Sequence, residues 1–414
     1  MTDMSETGDR IIAPVPRITI QAFCETPDVA AVIESTIGDR RMQKAQVKVQ
    51  MGGANAAVEA YRGAPTPNVI VIEMGNGKVS PLTHLDRLAE VCDAGTKVVL
   101  IGHVNDVLLY REFIRRGVSE YLIAPIDAVG TIAAISELFS EPGAEPLGRT
   151  VAVVGAKGGA GASTIAHNLS WSIARDFGTS TVIADLDVAF GTASLNFNQD
   201  PPQGIAEAVF APERIDANFV DRLLSKCTDN LSLLAAPATL DRTTDFSETA
   251  FDSVIEILRA SVPCIVLDVP HLWSAWSRRM LIGADEIVVV AAPELASLRN
   301  ARNLFDLLRQ ARPNDRQARL VLNQVGMPKR PEIGAAEFIK ALEVPGAAVV
   351  PFDPGLFGTA ANNGQMLAEI QAGGRATEII ADLAAAVTGR AEAKRARSTL
   401  FDPILARLGR RKAS

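Results

Sequence analysis

Eight consecutive residues carry the clearest chemistry in this sequence: Lys157-Gly158-Gly159-Ala160-Gly161-Ala162-Ser163-Thr164. An apolar run, Thr150–Val154, precedes them, and a helical pattern runs on from Ile165 to Ala174. Strand, glycine-rich loop, then helix is an arrangement that cradles phosphate. Glycines at 158, 159 and 161 permit backbone angles that turn several N–H groups toward one point. The positive end of the following helix dipole faces the same point. Ser163 stands where a hydroxyl in such a loop holds Mg²⁺. The loop departs from the consensus G-x-x-x-x-G-K-[ST]. Its first glycine position is Ala156 and its lysine position is Ala162, while a lysine stands instead at Lys157.

Carboxylates follow at strand ends. Ile183-Ala-Asp-Leu-Asp-Val188 places Asp185 and Asp187 just beyond an apolar run. A carboxylate pair beside a phosphate loop suits a hydrated magnesium ion. Cys264-Ile-Val-Leu-Asp-Val-Pro270 is an apolar strand ending in Asp268, which can hold a magnesium water. His271, next in the chain, reads as a surface or switch residue rather than as a base.

These residues need a scaffold, and the alternation of apolar runs with helical stretches supplies one. Strands are expected at Thr150–Val154, Thr181–Ala184, Leu231–Ala235, Cys264–Leu267, Glu286–Ala291, Arg319–Leu322 and Ala347–Val350. The implied fold is a doubly wound, mostly parallel α/β sheet, which binds ligands beyond the carboxyl ends of its strands. A smaller α/β unit precedes it, with strands at Ile18–Cys24, Val69–Met74, Lys97–Gly102 and Glu120–Ile123. Helices are expected at Asp28–Ile37, Leu82–Cys92 and Val129–Phe139. The Pro- and Gly-rich run Ser-Glu-Pro-Gly-Ala-Glu-Pro-Leu-Gly148 marks the boundary. The resulting division is a flexible leader at 1–16, a five-strand unit at 17–140, a linker at 141–149, the larger unit at 150–389 and a tail at 390–414.

The displaced lysine gives the loop a family likeness. Lys157-Gly158-Gly159-Ala160-Gly161-Ala162-Ser163 resembles the deviant Walker A motif, K-G-G-x-G-K-[ST], of the ParA/MinD ATPases. The resemblance implies ATP and Mg²⁺ as ligands, with residues 158–164 as the phosphate cradle. It assigns Lys157 the signature role of reaching across an ATP-sandwiched homodimer to the partner's nucleotide. Asp187 matches the hydrolysis-linked carboxylate of switch I. Ser163, Asp185 and Asp268 match the magnesium site, partly through water. Asn323, in Leu320-Val-Leu-Asn-Gln324, is similar to the family's adenine-contacting asparagine. Pro351 and Asp353, in Val349-Val-Pro-Phe-Asp-Pro354, resemble the segment that closes over the base. The family's in-loop lysine, which stabilises charge at the β- and γ-phosphates, is lost as Ala162. That loss implies slow or absent hydrolysis more than absent binding.

The first unit resembles a response-regulator receiver domain whose chemistry is missing. The phosphoacceptor position falls at Glu73, the acidic cluster is reduced to Glu25 beside Cys24, and the expected lysine is Ala124. A pseudo-receiver fused ahead of a ParA/MinD-like domain resembles the CpaE/TadZ proteins of Flp/Tad pilus assembly. That branch is further matched by Asp185-Leu-Asp-Val-Ala-Phe-Gly-Thr-Ala-Ser-Leu-Asn196. The resemblance implies work with the pilus secretion ATPase, inner-membrane platform proteins and a polar landmark protein, and a homodimer held by the ATP sandwich or the receivers.

Charge and composition bound the alternatives. Four dispersed cysteines suggest neither a zinc site nor a disulfide framework. No signal-peptide core or membrane span is visible, so a cytoplasmic chain, peripheral to the inner membrane at most, is expected. Residues 390–414 hold eight basic residues against two acidic ones, so the net charge of −7 conceals a basic tail on an acidic body. Leu400, Phe401, Ile404, Leu405 and Leu408 would give that tail an apolar stripe suited to a membrane surface or partner groove. A solvated tail is the plain alternative. The acidic body speaks against DNA, where affinity rests on phosphate neutralisation. The competing functions are a ParA/MinD-type positioning ATPase acting on DNA or membrane, and a non-catalytic scaffold.

Overall fold

The computed structural model describes residues 11–75, 81–93, 95–140, 147–238, 240 and 245–390. Most of the leader and linker, and the tail's basic and apolar stripe, lie outside the described residues. The chain divides into two compact units, Met1–Ala144 with Ala311–Asn314, and Glu145–Gln310 with Asp315–Ser414.

The first unit is a five-stranded parallel sheet built from β1 (Thr19–Cys24), β2 (Gln46–Met51), β3 (Val69–Glu73), β4 (Lys97–Gly102) and β5 (Glu120–Ile123), in the order β2-β1-β3-β4-β5. β3 is buried at every position because both faces carry helices. The first helix, Pro27–Thr36, starts where Thr26 accepts from the Val29 N–H and Pro27 presets the backbone. The sequence reading assigned four of the five strands. The fifth, β2, is an edge strand in which Gln46, Lys48 and Gln50 interrupt the apolar pattern and most positions face outward.

The second unit is an eight-stranded sheet in the order β13-β12-β11-β6-β10-β7-β9-β8. Its strands are β6 (Arg149–Gly155), β7 (Thr181–Asp185), β8 (Leu224–Lys226), β9 (Leu231–Leu234), β10 (Cys264–Val269), β11 (Glu286–Ala291), β12 (Arg319–Val325) and β13 (Ala347–Pro351). All pairings are parallel except β8 with β9, and this short antiparallel edge is absent from the sequence reading. Alternate residues of β6 serve opposite faces. Ala152 and Val154 join one core with Leu267 and Val289, while Val151 and Val153 join the other with Val266 and Val288. Burial on both faces explains why the central strands read as unbroken apolar runs.

β6 lies at the centre, with β10 and β7 on one side and β11, β12 and β13 on the other. The chain therefore reverses its direction of winding at β6, and the crevice above that strand's carboxyl end is where such sheets hold ligands. The glycine-rich loop leaves β6 at this point. Among the described residues, no helix is long and apolar enough to cross a membrane.

Candidate functional site

The loop joins β6 to the helix Ala162–Phe177 with Gly161 at the N-cap. Gly159 and Gly161 have φ of +79° and +87°, a region glycine enters without steric penalty. A Cβ at Gly161 would lie 2.4 Å from Asn323 Nδ2, so glycine is demanded by space as well as by backbone angle. Ser163 and Thr164 sit in the first turn of the helix.

The loop's carbonyl oxygens are tied from outside. His271 Nδ1 donates to the Gly155 carbonyl and Asn300 Nδ2 to that of Ala156, both at 2.9 Å. Gln324 Nε2 donates to Gly159 and Asn323 Nδ2 to Ala160, also at 2.9 Å each. These donors come from β10's end, the helix Leu295–Ala311 and β12. The sequence reading left Asn300 and Gln324 unremarked and took His271 for a surface or switch residue. A cavity of about 380 Å³ runs along the loop's start, lined by Gly155, Ala156, His271, Trp273 and Asn300 among others, but by none of Gly158–Ser163.

Lys157 Nζ lies 2.7 Å from Glu294 Oε1, just ahead of the helix Leu295–Ala311. The lysine side chain is 49% exposed. Glu294 is held below the ordinary glutamate pKa by its hydrogen bond from Lys157.

Asp185 and Asp268 are register partners on β7 and β10, and both side chains are buried. Asp185 accepts from the Asp187 and Ala193 N–H groups at 3.1 Å each. Burial, followed by the charge of Asp268, nevertheless pushes its pKa up to about 7. His167, buried in the loop's helix, stands against the pair. Asn196 Nδ2 donates to His167 Nδ1 at 2.9 Å, which leaves Nε2 facing Asp268 Oδ2 at 3.3 Å. Two buried carboxylates with one imidazole are short of positive charge. That deficit suits a divalent cation.

The remaining predicted residues have local tasks. The Asp187 carboxylate accepts from the Phe190 N–H at 3.0 Å and closes the turn after β7. Pro351 ends β13, and Asp353 caps the helix Pro354–Asn363 by accepting from Leu356 N–H at 3.0 Å. Asn323 is 4% exposed, with its amide N–H already committed to the loop.

The first unit has its own strand-end carboxylate, fully buried Glu73. It accepts from Glu25 N–H (2.7 Å), Thr26 N–H and Oγ1 (2.8 Å each) and His103 Nε2 (3.1 Å). Burial works against its ionisation, but these hydrogen bonds outweigh it and hold its pKa below the ordinary value.

Residues 148–320 match the AAA domain family AAA_31. The septum site-determining protein MinD of Synechocystis is 26% identical over 215 residues, 50% of this chain and 77% of that protein. The MinD structure from Pyrococcus horikoshii, complexed with Mg-ADP, is 20% identical with a TM-score of 0.51, covering 58% of this chain and 96% of its own. Sheet order, phosphate loop and these likenesses define the second unit as a ParA/MinD-like P-loop ATPase fold. The crystallised pilus assembly protein CpaE from Caulobacter crescentus is 48% identical across 98% of its chain and 31% of this one, with a TM-score of 0.30. On that identity, the chain belongs to the CpaE family of pilus assembly proteins.

Proposed function

We propose that this protein is an ATP-binding localisation and assembly factor for a Flp/Tad-type pilus, in which ATP and Mg²⁺ control a homodimer and hydrolysis is slow or absent. The observation that carries this reading is the loop itself: glycines 158, 159 and 161 and the first helical turn are kept, Lys157 is kept, and Ala162 replaces the lysine inside the loop. Inward-turned N–H groups of residues 158–164 would hold the phosphates. Ser163, Asp185 and Asp268 would hold Mg²⁺, directly or through water, and Asp187 would face the attacking water. The metal ion supplies neutralisation of phosphate charge when bound. Asn323, Pro351 and Asp353 are the candidates for the base side. Lys157 is exposed enough to leave Glu294 and cross to a second copy. The family likeness supports the pilus setting, with its secretion ATPase, platform and polar landmark as partners.

The test is solution mass with nucleotide titration, for the native chain and Lys157→Ala. ATP–Mg²⁺ should bind and shift monomer to dimer, and Lys157→Ala should weaken the shift while leaving binding largely intact. A chain that binds no nucleotide, or whose mass ignores it, refutes the switch and leaves a scaffold. Turnover as fast as that of ordinary P-loop ATPases refutes the holding role.

A further inference from the structure

Phosphate is recognised by backbone N–H groups only if the loop already points them inward. In water a glycine-rich segment has no reason to hold that shape, because glycine loses more conformational freedom on ordering than any other residue. Most phosphate loops gain a further anchor from a lysine in the loop, and position 162 is alanine. Yet four of the loop's carbonyl groups, those of Gly155, Ala156, Gly159 and Ala160, each receive a side-chain donor at 2.9 Å. In a peptide unit the carbonyl and the next residue's N–H point in opposite directions. A carbonyl fixed outward therefore fixes the following N–H the other way, which leaves those of Lys157 and Gly161 for a ligand; those of Ala156 and Ala160 already bond the Val290 and Lys157 carbonyls, at 2.8 and 3.2 Å, and help to hold the loop's shape.

We infer that Asn300, Asn323 and Gln324 are positioning residues that clamp the phosphate loop through its carbonyl groups and set its affinity for the phosphate chain whatever base it carries. This rests on the reading of the loop as a nucleotide-phosphate site, and it reassigns Asn323. The Asn323 side chain is 4% exposed, its Nδ2 is bonded to Ala160, and the same nitrogen closes the space over Gly161. Asn323 therefore acts through the loop. Gln324 makes the neighbouring contact from a left-handed backbone, φ +60°, which turns two consecutive residues of β12 onto two consecutive carbonyls.

Inorganic tripolyphosphate separates a loop clamp from a base reader, because it offers the phosphates and no base. The experiment titrates the full chain with tripolyphosphate, ATP and GTP in the presence of Mg²⁺. Asn323→Asp keeps the shape but sets a carboxylate against the Ala160 carbonyl. It should weaken all three ligands about equally, by tenfold or more. Gln324→Asn keeps a residue tolerant of positive φ but shortens the reach to Gly159. Its position is partly exposed, so the fold is not at stake, and it should weaken all three by a few-fold. Asn300→Asp should behave like Asn323→Asp from the other end of the loop. If Asn323→Asp instead changes only the ratio of ATP to GTP affinity and leaves tripolyphosphate binding as in the native chain, Asn323 reads the base and the clamp is wrong. Unchanged binding by Gln324→Asn and Asn300→Asp overturns it equally. If the native chain binds none of the three ligands, the nucleotide reading itself fails, an outcome distinct from either.

Discussion

Asp185 should be a burden to the protein when no metal is bound. Its carboxylate is 1% exposed and faces Asp268 across the β7–β10 pairing. Burial, then Asp268, pushes its pKa from 3.8 to about 7, while His167 and the Ala193 and Asp187 N–H groups only partly oppose the rise. In the unfolded chain the group ionises at its ordinary value. Between the two pKa values the folded state holds the extra proton, so stability falls as pH rises, and the loss is complete above about 7. At about 1.36 kcal/mol per pKa unit, the loss is on the order of 4 kcal/mol at pH 8 and about half that at pH 5.5. Asp185→Asn keeps the shape and removes the charge. Its amide N–H₂ then meets one of the two backbone N–H groups that Asp185 accepts from, which costs about 1–2 kcal/mol. The variant should therefore be more stable than the native chain by roughly 2–3 kcal/mol at pH 8 and by about 0–1 kcal/mol at pH 5.5. At about 2–4 °C per kcal/mol, that is a rise in Tm of roughly 4–12 °C at the higher pH. The assay is thermal and denaturant unfolding of the full chain in EDTA at both pH values. A variant no more stable at pH 8, or an advantage that does not grow with pH, refutes the argument. Adding ATP–Mg²⁺ should reverse the order, because only the native chain gains the ligand's stabilisation.

Three further outcomes follow from single contacts. Gly161→Ala places a Cβ 2.4 Å from Asn323 Nδ2 at a φ of +87°, so ATP should bind at least about tenfold more weakly, by titration, with the far-ultraviolet spectrum unchanged. Native-like affinity in that variant would contradict the cradle. Glu294→Gln releases Lys157 from its 2.7 Å ion pair; a pair this exposed is worth about 0–1 kcal/mol, so Tm should hardly move while the ATP concentration at half-dimerisation falls. Light scattering against ATP concentration checks it, and an unmoved midpoint removes Glu294 as a competitor for the lysine. Glu73→Gln cannot accept from all the donors now facing that carboxylate, and should destabilise the first unit by about 2–3 kcal/mol, read by hydrogen exchange in residues 11–140. Because the Glu73 pKa is lowered in the folded chain, this difference should be full at neutral pH and shrink as acid protonates the native carboxylate.

The parts of the site that repeat a local rule were legible in the sequence. β6, β7, β10 and β11 are buried on both faces, so each announced itself as an apolar run, and the acidic residues Asp185 and Asp268 stand out at or near the ends of two of them. The edge strands β2 and β8 were not legible, because neither has a fully buried position and so neither needs an apolar run, whereas the other two edge strands, β5 and β13, each bury a residue and were read. The clamp was hidden for a different reason. His271, Asn300, Asn323 and Gln324 meet the loop from 116 to 165 residues further along the chain, and single amides carry no periodicity. A consecutive Asn-Gln at the end of an apolar strand was the one available signal, and only its first member was read. Glu73 shows the opposite case: its position was found from the strand pattern, but two of its donors are the Glu25 and Thr26 backbone N–H groups, which no residue type reveals, and the others are single side chains of Thr26 and His103.

The loss of the in-loop lysine and the gain of the clamp act on different states. A lysine near the β- and γ-phosphates has its largest effect where charge develops during phosphoryl transfer, so removing it slows chemistry more than it loosens binding. Backbone N–H groups held by fixed carbonyls would bind the phosphates of the resting nucleotide and of the transition state alike. Such uniform binding deepens the complex without lowering the barrier from it. On the proposed reading, a loop with Ala162 and four tethered carbonyls would keep nucleotide rather than spend it. On that reading, the lifetime of an ATP-bound dimer would then be set by nucleotide release, with Lys157 leaving its ion pair with Glu294 to meet a second copy.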